Sequence, residues 1–178
     1  GGKIILDKNG TGWYNRKFAL SATVDANSAE GMGFYVENNT SANQFIIPRI
    51  YIGDKWATMH PNATVYLYNS DNQTVNSTTT SANRPIGIPA GFKGFVAFPY
   101  ESVHWDRNEA SDHIGKTLSA LKSANELRFT SLGFVVGGVT LAESSGEQMI
   151  MDNFFYYGKN VTENNNGVIP SAIKNNDD

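Results

Sequence analysis

The stretch KFALSATV, residues 17–24, alternates between apolar and small or polar side chains with a period of two. Successive side chains of a β-strand point to opposite faces of the sheet, so this alternation predicts a strand with one buried face. The opposite face begins with Lys17 and is predicted to lie at the surface. The face predicted to be buried carries Phe18, Leu20, Ala22 and Val24.

Segments of the same kind recur along the whole chain. Each is rich in β-branched and aromatic residues and is bounded by Gly, Asn, Asp, Ser or Pro, as strands between turns are. A series of strands without a helical layer predicts an all-β fold, an antiparallel β-sandwich. The further segments are KIIL (3–6), GMGFYVEN (31–38), NQFIIPRIYI (43–52), TVYLYN (64–69), GFKGFVAFPY (91–100), LRFTSLGFVVGG (127–138) and QMIMDNFFYYG (148–158).

Two smaller predictions complete the structural picture. One short helix is expected in GKTLSALKSANEL (115–127), where the leucines share a face. The three phenylalanines of the segment at 91–100 are expected in the core: Phe92, Phe95 and Phe98.

The chain of 178 residues fits one domain with a single core. We expect the β-sandwich domain to span residues 1–160. Residues 161–178 lose the periodic pattern and are expected to form a polar tail or a linker to another module.

The charge of the chain narrows the possible partners. The formal net charge is −3, and the 14 Lys and Arg residues are scattered without a basic cluster. Nucleic acid and anionic membranes are therefore poor partners, and strongly acidic polysaccharides are disfavoured. No apolar run reaches the roughly 18 residues that a membrane span needs, so membrane insertion is not expected.

The chain contains no cysteine, which excludes disulfides, thiolate metal sites and cysteine nucleophiles. Seven N-x-[ST] sequons and the abundance of Asn, Ser and Thr indicate a polar extracellular surface. We expect a secreted or cell-surface protein, and the lack of cysteine in such a domain favours a bacterial origin.

Three segments together resemble the lectin-like jelly-roll carbohydrate-binding modules of bacterial glycoside hydrolases and cell-surface proteins. They are the opening turn ILDKNGTGW (5–13), the central IPAGFKGFVAFPYESV (88–103) and the closing MIMDNFFYYG (149–158). The resemblance implies a sandwich of the jelly-roll type. It also implies a non-catalytic module that attaches a larger, multi-module protein to a polysaccharide or oligosaccharide.

Asp152 lies in the most aromatic segment of the chain, where an ionised carboxylate needs a partner. In the modules that the chain resembles, the first and last strands are neighbours, and an acid near each often binds a structural calcium ion. The resemblance therefore implies calcium held by Asp7 and Asp152, and oxygen ligands suit this ion. The alternative is that Asp152 caps a turn or pairs with Lys or Arg.

A sugar presents apolar ring faces edged with hydroxyls, so its site needs exposed aromatic rings and planar polar side chains. In TVYLYN and FIIPRIYI, strand alternation places aliphatic residues on one face and tyrosine or arginine on the other. We expect one sheet face to bind the glycan, with two tryptophans at its rim, although ordinary packing is the alternative for each aromatic residue. The predicted ligand residues are Arg49, Tyr51, Trp56, Tyr66, Tyr68 and Trp105.

The sequence offers fewer candidate residues for catalysis than for sugar binding. A glycosidase needs two carboxyl groups about 5 to 9.5 Å apart across one bond, and the sequence nominates no such pair among Glu37, Glu101, Glu143 and Glu147. The loop residues His104, Asp106, Asp112 and His113 match no standard metal spacing and are expected to be solvated. We therefore expect no enzyme; the alternative to a carbohydrate-binding module is an adhesin or structural surface domain that binds a protein.

Overall fold

The computed structural model describes residues 4–6, 14–53, 55–80, 85–105, 115–137 and 146–158. The predicted tail at 161–178 lies outside them. The described part contains one helix, α1 (Leu118–Ser123), and a 3₁₀ turn (Tyr100–Ser102). Its strands are β1 (Ile4–Leu6), β2 (Tyr14–Asp25), β3 (Gly31–Asn39), β4 (Gln44–Ile52), β5 (Lys55–Met59), β6 (Thr64–Asn69), β7 (Thr74–Thr79), β8 (Ile86–Ile88), β9 (Lys93–Pro99), β10 (Val103–Trp105), β11 (Arg128–Gly137) and β12 (Gln148–Tyr157).

The strands form two antiparallel sheets that pack face to face. Sheet I has the strand order β1-β12-β3-β9-β6-β7, and sheet II has the order β10-β5-β4-β11-β2, with β8 also paired to β4. The predicted all-β antiparallel sandwich is confirmed. The jelly-roll connectivity stays a prediction. The first and last described strands, β1 and β12, are hydrogen-bonded neighbours.

Every segment predicted as a strand contributes one, but the short strands β5, β7, β8 and β10 were not predicted. Strand β7 is exposed along most of its length, and β8 and β10 have three residues each. Such short or polar strands exist because a neighbouring strand supplies their hydrogen bonds, and that information is not local in the sequence.

The alternation of residues 17–24 holds only for the first half of that stretch. Leu20 packs against the core, but Ala22 is exposed. The register explains the difference: Ala19 pairs with Ser131, and Val24 pairs with Phe129. Four residues of β2 therefore face a single residue of β11 between these pairs, which breaks the period of two.

The core lies between the sheets. It is formed by the side chains that alternate inward along the strands of both sheets. Phe34 of β3 and Phe134 of β11 meet edge to face across it, with ring centroids 5.4 Å apart. Phe92 and Phe98 are buried as predicted, whereas Phe95 faces the outer side of sheet I and is only half-buried. The prediction for Phe95 was wrong because its strand alternates Phe95 outward with Val96 and Phe98 inward.

A buried asparagine near the end of β3 connects the loop that follows β3 to strand β8. The Asn38 side chain is fully buried and donates to the carbonyl oxygens of Ala42 and Ile88 at 3.0 and 2.9 Å. The Thr40 hydroxyl donates to Asn38 Oδ1 at 2.6 Å. This sequon asparagine is therefore structural, because its amide nitrogen is inside the protein.

The single described helix forms where a helix was predicted. The Thr117 hydroxyl accepts a hydrogen bond from the Ala120 N–H and caps its first turn. Leu118 and Leu121 are buried on the helix, as their shared face predicts. Leu127 is buried too, but it lies outside the helix, just before β11. No helix in the described part of the chain is long and apolar enough to cross a membrane.

Candidate functional site

The structure separates the predicted ligand residues onto two outer faces. Strand β4, which carries Arg49 and Tyr51, belongs to sheet II, whereas β6, with Tyr66 and Tyr68, belongs to sheet I. The predicted direction of each side chain is right: in both strands the aliphatic neighbours face the core. The prediction of one shared face is wrong, because the sandwich places these two outer faces on opposite sides of the molecule.

The outer face of sheet II brings Arg49, Tyr51 and Trp56 together. Tyr51 is opposite Trp56 in the β4–β5 register, and their ring centroids are 6.0 Å apart at an interplanar angle of 51°. The central guanidinium carbon of Arg49 lies 4.6 Å from the centroid of the Trp56 ring. The strands are joined through Gly53, whose φ of +66° suits glycine in a tight turn.

Lys17 completes this group from the other side of β11. Its Nζ lies 4.2 Å from the centroid of the Tyr51 ring. The β11 residues that lie between them in the register are the small Ser131 and Gly133, which leave room for the lysine to reach across the strand. We call Lys17, Arg49, Tyr51 and Trp56 the cationic–aromatic cluster.

Exposure differs within the cationic–aromatic cluster. Lys17 is exposed and Arg49 and Trp56 are half-buried, but Tyr51 is only 5% exposed because its neighbours cover it. Tyr51 is thus not an open platform for a sugar ring. It supports the cluster from below, while Trp56 and the two cations face the solvent.

Two histidines extend the same face toward its β10 edge. His104 is opposite Thr58, and Thr58 is opposite Arg49. The His60 and His104 rings are close, with centroids 3.6 Å apart and planes inclined by 32°. His104 is therefore a half-buried strand residue rather than a solvated loop residue. The other residues of the predicted loop group lie outside the described residues: Asp106, Asp112 and His113.

Trp105 does not belong to this face. It is 1% exposed and lies in the core beside Ala57, its partner in the β5–β10 register. The prediction that Trp105 forms the rim of the site was wrong. The charged residues that follow it suggested a loop, but the short strand β10 turns Val103 and Trp105 inward and His104 outward.

The outer face of sheet I carries aromatic rings that contact one another. Phe95 is central: its centroid lies 5.4 Å from Tyr35, 6.4 Å from Tyr68 and 5.7 Å from Phe155. We call Tyr35, Tyr68, Phe95 and Phe155 the aromatic layer. Tyr66, two residues before Tyr68 in β6, is half-buried and lies opposite Ala97.

A bulge in β12 brings Phe155 onto this outer face. Asp152 pairs with Tyr35 and Phe155 with Gly33, so β12 has one extra residue between the pairs, and Asn153 adopts a φ of +48°. A Cβ atom at Gly33 would lie 2.8 Å from the Phe155 ring. It would approach the Val96 carbonyl oxygen still more closely, so both the neighbouring backbone and the Phe155 ring require glycine at position 33.

Asp152 lies at this bulge and is half-buried rather than fully buried. Its Oδ1 accepts a hydrogen bond from the Asn153 N–H at 2.8 Å, so the carboxylate caps the bulge locally. Leu6, the last described residue before Asp7, is opposite Met149, three positions from Asp152 and about 10 Å along the strand. Asp7 itself lies outside the described residues.

The residues that the structure describes contain no group of three or more His, Cys, Asp or Glu side chains that could hold a metal ion. The described part of the bulge thus supplies one carboxylate, where calcium takes six to eight oxygen ligands. Calcium binding stays a prediction.

Two of the carboxylates weighed for catalysis, Glu37 and Glu147, have structural partners. Glu37 accepts hydrogen bonds from the Tyr35 hydroxyl at 2.9 Å and from the Asn39 amide at 3.0 Å. Glu147 accepts from the Ser41 N–H and hydroxyl. Glu101 is exposed on the 3₁₀ turn, and Glu143 lies outside the described residues.

An apolar crevice of about 160 Å³ opens between the sheets near β2 and β12. Its described lining offers aliphatic and aromatic surface with little polar area, which does not fit a ligand edged with hydroxyl groups. The lining residues are Leu20, Met32, Phe129, Leu132, Phe154, Phe155 and Tyr156.

Comparison with known proteins adds no family to this description. No protein-family model matches the chain, and no curated protein or solved structure shows significant similarity to it. The fold and the cationic–aromatic cluster are therefore the basis on which function is inferred.

Sequence reasoning missed Lys17, Thr58 and His60 as members of the outer face of sheet II. The alternation in residues 17–24 does point Lys17 outward, which was the available signal. Its proximity to Tyr51 depends on β11 inserting between β2 and β4, which pairs residues that are 80 or more positions apart in the chain. No local pattern encodes that arrangement.

Proposed function

We propose that this protein is a non-catalytic carbohydrate-binding module of the lectin-like jelly-roll type. It attaches a larger secreted or cell-surface protein to a polysaccharide. The ligand lies on the outer face of sheet II. The single observation that supports this assignment is the cationic–aromatic cluster, in which an outward tryptophan and two outward cations meet on the surface of a sheet.

Each member of the cluster has a role in this proposal. The half-buried Trp56 ring offers apolar surface to one face of a sugar. Arg49 has five N–H donors in a planar fork, and the side chain is held against the Trp56 ring. Tyr51 holds both neighbours in place from below, and Lys17 adds a mobile donor.

The alternative function is an adhesin or structural surface domain that binds a protein. The observation that favours it is that many outward aromatic rings are covered by other side chains. Tyr51 is buried, and the rings of the aromatic layer of sheet I pack against one another. A sandwich fold serves both functions, so the fold does not separate them.

The test compares matched aromatic variants on the two outer faces. Wild-type protein is screened against a glycan array and a panel of soluble polysaccharides, and Trp56→Ala and Tyr68→Ala are then measured against the best ligand. We expect Trp56→Ala to weaken binding about tenfold or more, equivalent to about 1.4 kcal/mol. Tyr68→Ala, on sheet I, should bind within about twofold of wild type. Circular dichroism and thermal melting check that both variants fold.

Two results would contradict the proposal. Wild-type protein that binds no glycan on the array or panel would remove the function itself. A loss of binding in Tyr68→Ala with full binding in a folded Trp56→Ala would move the site to sheet I.

A further inference from the structure

The two cations of the cationic–aromatic cluster flank a single position of sheet II. Lys17 and Arg49 are both opposite Gly133 in the register, one from each side of β11. Neighbouring strands lie about 4.8 Å apart, so the backbones of these two residues are about 10 Å apart. Gly133 contributes no side chain between them. The two positive groups therefore serve one common area of the surface.

Neither cation is neutralised by a described carboxylate. The ion pairs among the described residues join Lys122 to Glu30 and Arg128 to Asp25, and none includes Lys17 or Arg49. The described residues that neighbour them on the outer face are neutral: Ala19, Thr58 and Ser131. In a chain with a net charge of −3, the described residues thus concentrate positive charge at this place.

Both cations are held on aromatic rings instead. A cation over an aromatic face gains about 0.5 to 1 kcal/mol at an exposed site. A guanidinium that stacks on a ring keeps its N–H groups in its own plane, directed away from the ring, where they can donate to a second partner. The contact with Trp56 therefore restrains Arg49 without using its hydrogen-bond donors.

Oxyanions are the partners that such donors bind best. Hydrogen bonds from arginine or lysine to a carboxylate or a sulfate are roughly twice as strong as those between neutral groups, and arginine can make two at once. A neutral sugar would leave both positive charges without a counterpart. An acidic sugar places its oxyanion between Lys17 and Arg49 while its ring lies against Trp56.

We infer that the outer face of sheet II binds an anionic glycan whose carboxylate or sulfate group is contacted by Arg49 and Lys17. This inference rests on the proposed function and specifies its ligand class. It reverses the expectation, drawn from the small total number of basic residues, that strongly acidic polysaccharides are disfavoured as ligands. Two neighbouring cations that have no carboxylate partner among the described residues matter more than the number of cations in the chain.

The test uses polysaccharides that differ in charge but share a backbone. Dextran sulfate is compared with dextran, and polygalacturonate with its carboxyl-reduced form, by isothermal titration calorimetry. We expect one acidic polymer to bind at least tenfold more tightly than its neutral counterpart. The two pairs distinguish a sulfate ligand from a carboxylate ligand. Binding should weaken as salt is added, since exposed charges are screened.

Charge variants show whether the cluster is responsible. Arg49→Gln and Lys17→Gln should each weaken binding of the acidic polymer about fivefold or more. Lys93→Gln removes the same charge from the outer face of sheet I and should leave binding unchanged. Equal weakening in all three variants would indicate diffuse attraction and would overturn the inference.

The remaining outcomes separate this inference from the function on which it rests. Neutral and acidic polymers that bind equally, both dependent on Trp56, would overturn the anionic ligand and leave the carbohydrate-binding function intact. Binding to no polysaccharide would overturn both. Poly-L-glutamate that binds as tightly as the acidic polymer would show that the surface binds acidic protein chains, which is the alternative function.

Discussion

The two outer faces of the sandwich use aromatic residues in different ways. On sheet I the rings contact other rings, with Phe95 at the centre of the aromatic layer. On sheet II the rings contact cations, with Lys17 over Tyr51 and Arg49 over Trp56. When aromatic rings contact one another, their apolar surface is covered within the protein. When a ring contacts a cation, the charged group still faces the solvent. The partner of an outward aromatic ring is therefore a better guide to binding than its outward direction alone.

The difference extends to the polar groups of each face. On sheet I the Tyr35 hydroxyl donates to Glu37, so its polar end is satisfied within the protein. On sheet II the described residues give Arg49 an aromatic partner and no carboxylate. These contacts assign the aromatic layer to the stability of the fold, and they are the reason why we propose the cationic–aromatic cluster as the ligand site.

The largest expected effect tests this division through stability. Phe95→Ala should lower the free energy of unfolding by about 3 kcal/mol, because it removes the ring that three others contact. Trp56→Ala should cost about 1 kcal/mol, since it removes mainly a cation–π contact and one tilted ring contact. Urea denaturation of both variants measures the difference. A Trp56→Ala variant that loses as much stability as Phe95→Ala would make the cluster of sheet II structural too.

The second prediction concerns Asp152, a carboxylate beside the aromatic layer. If calcium binds there, a free calcium concentration of about 100 times its dissociation constant stabilises the fold by about 2.7 kcal/mol. A chelator should then lower the melting temperature of wild-type protein but not that of Asp152→Asn. Such a result would show that sheet I also presents a charged group to a ligand, which would weaken the contrast with sheet II. An unchanged melting temperature, with no metal in elemental analysis, would remove the calcium site.

The direction of each side chain was predictable from sequence, but its sheet was not. A period of two determines which residues of one strand face together, so Tyr51 and Tyr66 were both correctly placed outward. It does not determine which strands are neighbours. The β4 and β6 segments are separated by β5, a short strand that pairs with β4 and was not predicted. For that reason two faces were predicted as one.

Burial was also less predictable than alternation. Trp56 lies in β5, a strand that was not predicted, and Trp105 was expected at the surface and lies in the core. Both errors concern strands of five residues or fewer, whose existence depends on pairing with a longer neighbour. The bulge that turns Phe155 outward depends on a positive φ at Asn153, which the apolar run around it concealed.

The smallest expected effect is a pH dependence that arises in the aromatic layer. Burial and the hydrogen bond to Glu37 raise the pKa of Tyr35 to about 12, compared with about 10 in an unfolded chain. A pKa raised by folding means that the neutral phenol stabilises the native state. This contribution is complete below pH 10 and is lost as the pH rises from 10 to about 12. Burial raises the pKa of Tyr100 as well, so part of the alkaline loss belongs to that residue.

Tyr35→Phe isolates the contribution of the aromatic layer to this effect. The variant has no phenol to ionise at that position, so its stability should fall less steeply than that of wild type between pH 10 and pH 12. The absorbance titration at 295 nm should also lose one tyrosine that ionises near pH 12. Stability curves with the same slope in wild type and variant would show that the Tyr35–Glu37 hydrogen bond is open to solvent. The polar ends of sheet I would then be as available to a ligand as those of sheet II, and the contrast between the two faces would rest on the cations alone.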